Sequence, residues 1–171
     1  MIKFYDVDKG YIKYLQCYDA QVPNIEYSSN SKFVCGVILN INNMDYYAPI
    51  SHFNKKQQTN LPIYRNKKII STIRFSFMFP ALKSVLSIKS FTDIKNEDLQ
   101  YAKLLETEYR YCKAHEQERR DKAKAVYEIG CNKKHKLNYT CCDFKLLENI
   151  YSQYQEQDVA LTEVASTKVK D

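Results

Sequence analysis

Ser51 and His52 close an apolar stretch, Ala48-Pro49-Ile50, and Lys55 and Lys56 follow in a polar loop. A hydroxyl, an imidazole and two ammonium groups thus leave one strand end together. A further lysine, Lys32, opens the preceding apolar segment. A hydrogen-bond donor, a proton carrier near neutral pH and fixed positive charge are what a phosphodiester asks of a protein. RNA brings its own nucleophile, the 2′-hydroxyl, so a set without metal ligands points to RNA rather than DNA. No paired carboxylates suit two-metal catalysis: Asp6 and Asp8 come nearest, and Asp8 is better placed as a helix cap. No G-x-S-x-G elbow surrounds Ser51, which excludes that class of hydrolase. With only Gly10, Gly36 and Gly130 there is no phosphate-cradling glycine loop, which argues against P-loop and Rossmann nucleotide enzymes. Each residue also has a plain alternative: His52 as a loop histidine, Ser51 as a turn residue, Lys32 as a strand-end lysine in solvent.

The elements that must hold this set can be read from the apolar pattern. Ile2–Val7 reads as a short strand, and Asp8 caps a helix over Lys9–Ala20 with Tyr11, Leu15 and Tyr18 near one face. Val22-Pro23-Asn24 ends it, and 24–31 is loop. Lys32–Ile41 and Asp45–Ile50 form a hairpin around Asn42-Asn43, which puts Lys32 and Ser51 at the same end of the sheet. The segment 51–60 is loop, and Lys67–Phe75 is a strand closed by Phe77-Met78-Phe79-Pro80. Val85, Ile88 and Phe91 suggest one more short strand. Beyond Asn96 the pattern turns helical: Leu99, Ala102, Leu105, Tyr109 and Cys112 predict a long helix over Glu97–Tyr127, broken near His115 and ended by Gly130. Asp143 opens a last helix with Phe144, Leu147, Ile150 and Tyr151 on one face. The expected organisation of 1–171 is one domain, with a sheet core over about 1–91, a helical part over about 97–154 and a polar tail from 155.

Charge is distributed unevenly. Residues 1–90 hold 12 Lys/Arg against 5 Asp/Glu, and residues 91–171 hold 14 against 15, so the net +6 lies in the half that carries Ser51 and His52. That asymmetry suggests a polyanionic partner, most simply nucleic acid. The chain has 15 Tyr and no Trp, and tyrosines interleaved with basic residues can stack unpaired bases, although most will fill half-buried faces. The six cysteines lack a disulfide-scaffold spacing and read as reduced, packed thiols. A zinc set drawn from Cys131, His135, Cys141 and Cys142 has no C-x2-C pair to support it. No secretory signal or membrane-length apolar run is present, so a cytoplasmic location and no membrane partner are expected.

Several segments occur in an order that carries a resemblance: Lys3-Phe4-Tyr5, Tyr11-Ile12-Lys13-Tyr14-Leu15, Val22-Pro23-Asn24, the Lys32 strand, Tyr47-Ala48-Pro49-Ile50-Ser51, Phe77-Met78-Phe79-Pro80 and Cys142-Asp143-Phe144-Lys145-Leu146-Leu147-Glu148. The set, spanning about residues 1–151, resembles the endoribonuclease toxins of type III toxin–antitoxin systems, the ToxN/AbiQ family of phage abortive infection. The resemblance implies an α+β fold: a strongly bent antiparallel sheet or small barrel like that of MazF/Kid-type toxins, with packed helices. It implies a metal-independent, sequence-specific endoribonuclease that needs no cofactor and leaves a 2′,3′-cyclic phosphate and a 5′-hydroxyl. The implied partners are cellular or phage RNA substrates and a repeated, pseudoknotted small antitoxin RNA that is trimmed by the toxin, inhibits it and can join toxin copies into one assembly. The family's active-site lysine and strand-end hydroxyl fall on Lys32 and Ser51, its first-helix aromatic on Tyr11, and its loop lysines on Lys55 and Lys56. His52 stands where a second hydroxyl is expected, as phosphate donor or proton carrier. The expected RNA-binding set is Tyr11, Tyr27, Lys55, Lys56, Arg65 and Lys67, beside Lys32, Ser51 and His52. Two rivals remain open at this point: a non-catalytic RNA-binding module, and a toxin with a protein target.

Overall fold

The computed structural model describes residues 2–24 and 34–154, with the Val37 side chain left aside. Lys32, Tyr27 and the polar tail lie outside the described residues. In chain order the elements are β1 (Phe4–Val7), α1 (Lys9–Tyr18), β2 (Val34–Ile41), β3 (Met44–Ser51), β4 (Asn60–Arg65), β5 (Lys68–Arg74), β6 (Phe79–Pro80), β7 (Leu86–Ile88), α2 (Phe91–Glu97), α3 (Leu99–Ala114), α4 (Glu116–Cys131) and α5 (Phe144–Ile150). The strands form one antiparallel sheet of seven in the order β4-β5-β3-β2-β1-β7, with β6 also paired to β3. The α+β class is as expected. The sheet ends on β4 at one side and β7 at the other, so it does not close into a barrel.

Local chemistry accounts for most boundaries. Asp8 accepts from the Tyr11 N–H at 2.8 Å and starts α1. Asn42 and Asn43 both take positive φ, 50° and 63°, the twist that a two-residue hairpin needs. Asn66 and Lys67 repeat those angles between β4 and β5. This second hairpin is the element that the apolar pattern misses, because Pro62 breaks the run Asn60–Arg65. As the outermost strand, β4 tolerates the proline. The long helix breaks at His115 as expected. Phe91 starts α2 instead of extending a strand, since Ser90 caps it by accepting from the Asp93 N–H.

Two glycines hold positions by size. A side chain at Gly36 would clash with the Lys3 carbonyl oxygen, which here accepts from the Gly36 N–H, so the lack of one lets the chain before β1 lie close against β2. Gly130 does not end α4, which runs on to Cys131; a Cβ on it would strike the Phe144 ring at 2.3 Å. Gly130 is therefore the notch in α4 that admits Phe144 from α5.

The core lies between the sheet and the helices. Phe4, Tyr11, Leu15, Val34, Tyr46, Phe79, Leu105, Val126, Phe144 and Leu147 are all buried in it. The C-terminal motif proves architectural. Asp143 caps α5 by accepting from the Leu146 N–H, and Glu148 accepts from the hydroxyls of Tyr46 and Tyr127, tying α4 and α5 to β3. No helix among the described residues is long and apolar enough to cross a membrane.

Candidate nucleic-acid interface

The register of β3, β5 and β4 sorts their side chains onto two faces. Ser51 pairs with Thr72 and Ile50 with Ile73; Asn60 pairs with Arg74, Leu61 with Ile73 and Pro62 with Thr72. Residues directly opposite share a face, and alternate residues along a strand do too. One face therefore presents Ile50, Leu61, Ile63 and Ile73, with Ser71 opposite Ile63, all buried. The other presents Ser51, Thr72, Asn60 and Arg74 as one polar row.

That row holds hydrogen-bonding capacity which the described residues leave unused. Ser51 Oγ, Thr72 Oγ1 and Arg74 Nε are buried atoms without a hydrogen-bond partner among the described residues. An unpaired buried polar atom costs on the order of 1–3 kcal/mol, so such a row needs a reason. The Arg74 guanidinium lies 4.5 Å from the centre of the Phe53 ring and 4.6 Å from that of Phe77, pinned between two apolar faces. Burial lowers its pKa from arginine's ordinary value. That value starts so high that the group stays a cation. Sequence reasoning missed Thr72 and Arg74. Their signal was the polar alternation Thr72-x-Arg74 inside a strand otherwise read as apolar.

The loop after Ser51 is built around Asn60, which is 1% exposed. Its side-chain oxygen accepts from the Gln57 N–H at 3.0 Å, and its amide nitrogen donates to the Lys55 carbonyl at 3.0 Å. The first residue of β4 thereby fixes the loop that carries Lys55 and Lys56, both exposed beside exposed His52. Ser51, His52, Lys55 and Lys56 thus share one strand end and the loop that follows it, and Arg74 packs on Phe53 of that loop.

Other expected residues stand apart. Arg65 and Lys67 sit at the exposed tip of the β4–β5 hairpin. The pairing of Arg65 with Lys68 puts that tip four residues along β5 from Thr72, about 13 Å at the usual strand rise. Tyr11 is 0% exposed and donates its hydroxyl to the Pro80 carbonyl at 2.6 Å. Burial raises the pKa of this phenol. In this conformation its ring is core and offers no face to a base. The ladder between β2 and β3 reaches Val34 opposite Pro49; Lys32 and Tyr27 lie outside the described residues.

The cysteines serve packing and local bonds. Cys35 and Cys112 are buried around Arg119, which donates to the Cys35 sulfur at 3.4 Å and to the Cys112 carbonyl at 2.8 Å. His135 Nδ1 accepts from the Leu137 N–H. Among the described residues no three His, Cys, Asp or Glu side chains gather as metal ligands, which leaves the set Cys131, His135, Cys141 and Cys142 without a shared site.

Known proteins match this architecture over most of its length. Residues 3–152 match the family model described as Toxin ToxN, type III toxin–antitoxin system. Endoribonuclease ToxN of Bacillus thuringiensis subsp. kurstaki is 27% identical over 168 residues, covering 92% of this chain and 87% of that one. Endoribonuclease AbiQ of Lactococcus lactis subsp. lactis is 25% identical over 172 residues, covering 91% of each, so it is a relative and not the same sequence. A solved structure described by selective toxin inhibition by a non-coding RNA pseudoknot superposes with a TM-score of 0.83 at 27% identity, over 91% of this chain and 98% of that one. An AbiQ structure superposes at 0.78 and 23% identity, covering 90% and 98%, and shares the fold. The chain belongs to the ToxN family of toxins of type III toxin–antitoxin systems.

Proposed function

We propose that this protein is a metal-independent endoribonuclease toxin that acts in the cytoplasm during phage abortive infection. The observation that carries the reading is the Ser51 hydroxyl: buried, without a partner among the described residues, and set at the strand end beside a basic loop held by Asn60. The matched relatives are named endoribonucleases, which supports the reaction class.

The reaction is transesterification. The 2′-oxygen loses its proton and attacks the phosphorus, the bond to the 5′-oxygen breaks, and that oxygen takes up a proton. The products are a 2′,3′-cyclic phosphate and a 5′-hydroxyl. Ser51 donates to a phosphate oxygen or holds the 2′-hydroxyl. Lys32 stabilises the dianionic transition state. His52 carries a proton, and Lys55 and Lys56 hold the flanking backbone without reading bases. Arg65 and Lys67 extend the basic track along the hairpin. The antitoxin is a repeated, pseudoknotted small RNA that the toxin trims and that then occupies the same surface, joining toxin copies into one assembly. A structural relative is described as inhibited by an RNA pseudoknot, which supports this partner.

The test is incubation of purified protein with a long single-stranded RNA in EDTA, with end mapping and Ser51→Ala alongside. Discrete cuts ending in cyclic phosphate, slowed at least about 100-fold by the substitution, are expected. Intact RNA that still shifts on a gel would reduce the protein to an RNA-binding module. Cleavage that stops on chelation and returns with a divalent ion would overturn the metal-free account.

A further inference from the structure

A cavity of about 510 Å³ opens at the end of the polar row, between the 52–60 loop, the turn after β5 and the segment 137–140. Arg74 forms part of its wall, two residues along β5 from the Thr72 that faces Ser51. We infer that this cavity is a nucleobase subsite, taking one unpaired base of the RNA strand whose phosphate lies at Ser51. The inference rests on the RNA reading above and adds where a base is recognised.

The lining has the chemistry of a base site. It contains no carboxylate, one fixed cation, and three glutamines, Gln21 from the chain after α1 and Gln57 and Gln58 from the loop. An amide offers a donor and an acceptor together, the pairing displayed by the Watson–Crick edges of bases. Phe77 and Tyr139 contribute aromatic rings. Tyr139 is 75% exposed, the most exposed large apolar side chain among the described residues. A ring kept in water at the mouth of a cavity is a stacking platform for a flat partner.

Both walls are pinned before any ligand arrives. Gln57 is held through its N–H by Asn60. On the opposite wall Asn138 donates to the carbonyls of Ile129 and Gly130 at 3.2 and 2.6 Å, and the Thr140 hydroxyl donates to the Leu137 carbonyl at 2.7 Å. The Cys142 N–H donates to the Ser76 carbonyl at 2.8 Å, joining this wall to the turn after β5. The backbone of both walls therefore needs little ordering on binding, which favours selectivity among bases over general adhesion. Basic residues on the loop hold any RNA. The cavity distinguishes one base from another and so contributes to the choice of cleavage site.

The test measures binding, so it does not depend on catalysis. Single-stranded 2′-O-methyl oligonucleotides, which lack the nucleophile, are titrated against wild type, Tyr139→Ala, Tyr139→Phe and Gln57→Ala/Gln58→Ala by fluorescence anisotropy. Wild type is expected to prefer one base. Tyr139→Ala weakens the preferred oligonucleotide about 10-fold or more while Tyr139→Phe keeps it, and the double amide variant flattens the preference. An abasic nucleotide scanned along the oligonucleotide reproduces the loss at one position and adds nothing further there in Tyr139→Ala. Tight wild-type binding untouched by Tyr139→Ala, or losses that add at every abasic position, overturns the subsite and leaves the nuclease reading intact. Absence of wild-type binding at low salt removes both.

Discussion

The two faces of the β3–β5–β4 ladder are made of the same strands and differ by one residue of register. On the core face Ile50, Leu61, Ile63 and Ile73 are buried, and α3 and α4 pack on β4. On the other face Ser51, Thr72, Asn60 and Arg74 stand in a row with the loop lysines beyond its end. The core face is held by removal of apolar surface from water, a diffuse gain that any well-sized side chain can supply. The polar face keeps hydroxyl and guanidinium atoms without described partners and so costs stability. Ser71 Oγ and Glu108 Oε2 on the core side are also without described partners, so what distinguishes the polar row is its place beside the basic loop.

Substitution can break the contrast directly. Ile73→Ala on the core face is expected to destabilise by about 2–5 kcal/mol, read by urea unfolding, with cleavage per folded molecule retained. Thr72→Val, its neighbour on the other face, is expected to unfold at the same urea concentration or higher while cleavage falls, because an unpaired hydroxyl is replaced by a methyl of similar size. Large destabilisation by Thr72→Val would place that hydroxyl in the scaffold and dissolve the distinction between the faces.

Glu108 tests whether the core side tolerates charge. It is 2% exposed on α3, and burial pushes its carboxyl up to about 7 from an ordinary 4.5. The folded state therefore keeps a proton that the unfolded chain releases between those values. This contribution to stability is fully present below about pH 4.5, falls as pH rises to about 7, and is flat above, a loss on the order of 3 kcal/mol. Glu108→Gln is expected to remove that slope and to stabilise the protein at about pH 8 more than at about pH 4. Equal effects at both pH values would mean that the carboxyl titrates in the fold as it does in the unfolded chain.

Much of the scaffold was legible in the sequence because its signals are local. Asp8 and Asp143 mark helix starts, the Asn42-Asn43 turn sets a hairpin, and apolar spacing marks α3 and α5. The strand β4 was hidden by Pro62, whose tolerance depends on its edge position, and that position is a tertiary fact. The site was legible only where it follows a strand end. Ser51, His52, Lys55 and Lys56 announce themselves by type and nearness in sequence. Thr72 and Arg74 come to Ser51 by cross-strand register, and Tyr139 and Thr140 come to the cavity by the path of the chain after α4; neither leaves a local mark. Tyr11 shows the opposite error. Its aromatic position was readable, whereas its burial against Phe79 and its bond to the Pro80 carbonyl were not.

The smallest expected effects divide the basic residues themselves. Lys55 and Lys56 leave a loop pinned by Asn60 beside Ser51, whereas Arg65 and Lys67 occupy the hairpin tip about 13 Å away along β5. Each residue that contacts a phosphate of single-stranded RNA releases a counterion, so its removal should lower the slope of log affinity against log salt by about 0.7. All four alanine variants are expected to do this if the RNA track runs along the hairpin. Only the loop pair should also slow cleavage at saturating RNA, because contacts far from the reacting phosphate add to ground state and transition state alike. Salt titrations of binding, paired with single-turnover cleavage, read the two quantities apart. A hairpin-tip variant that leaves the slope unchanged would confine the basic track to the loop. One that slows saturated cleavage would place the tip near the chemistry, against the distance that the strand register imposes.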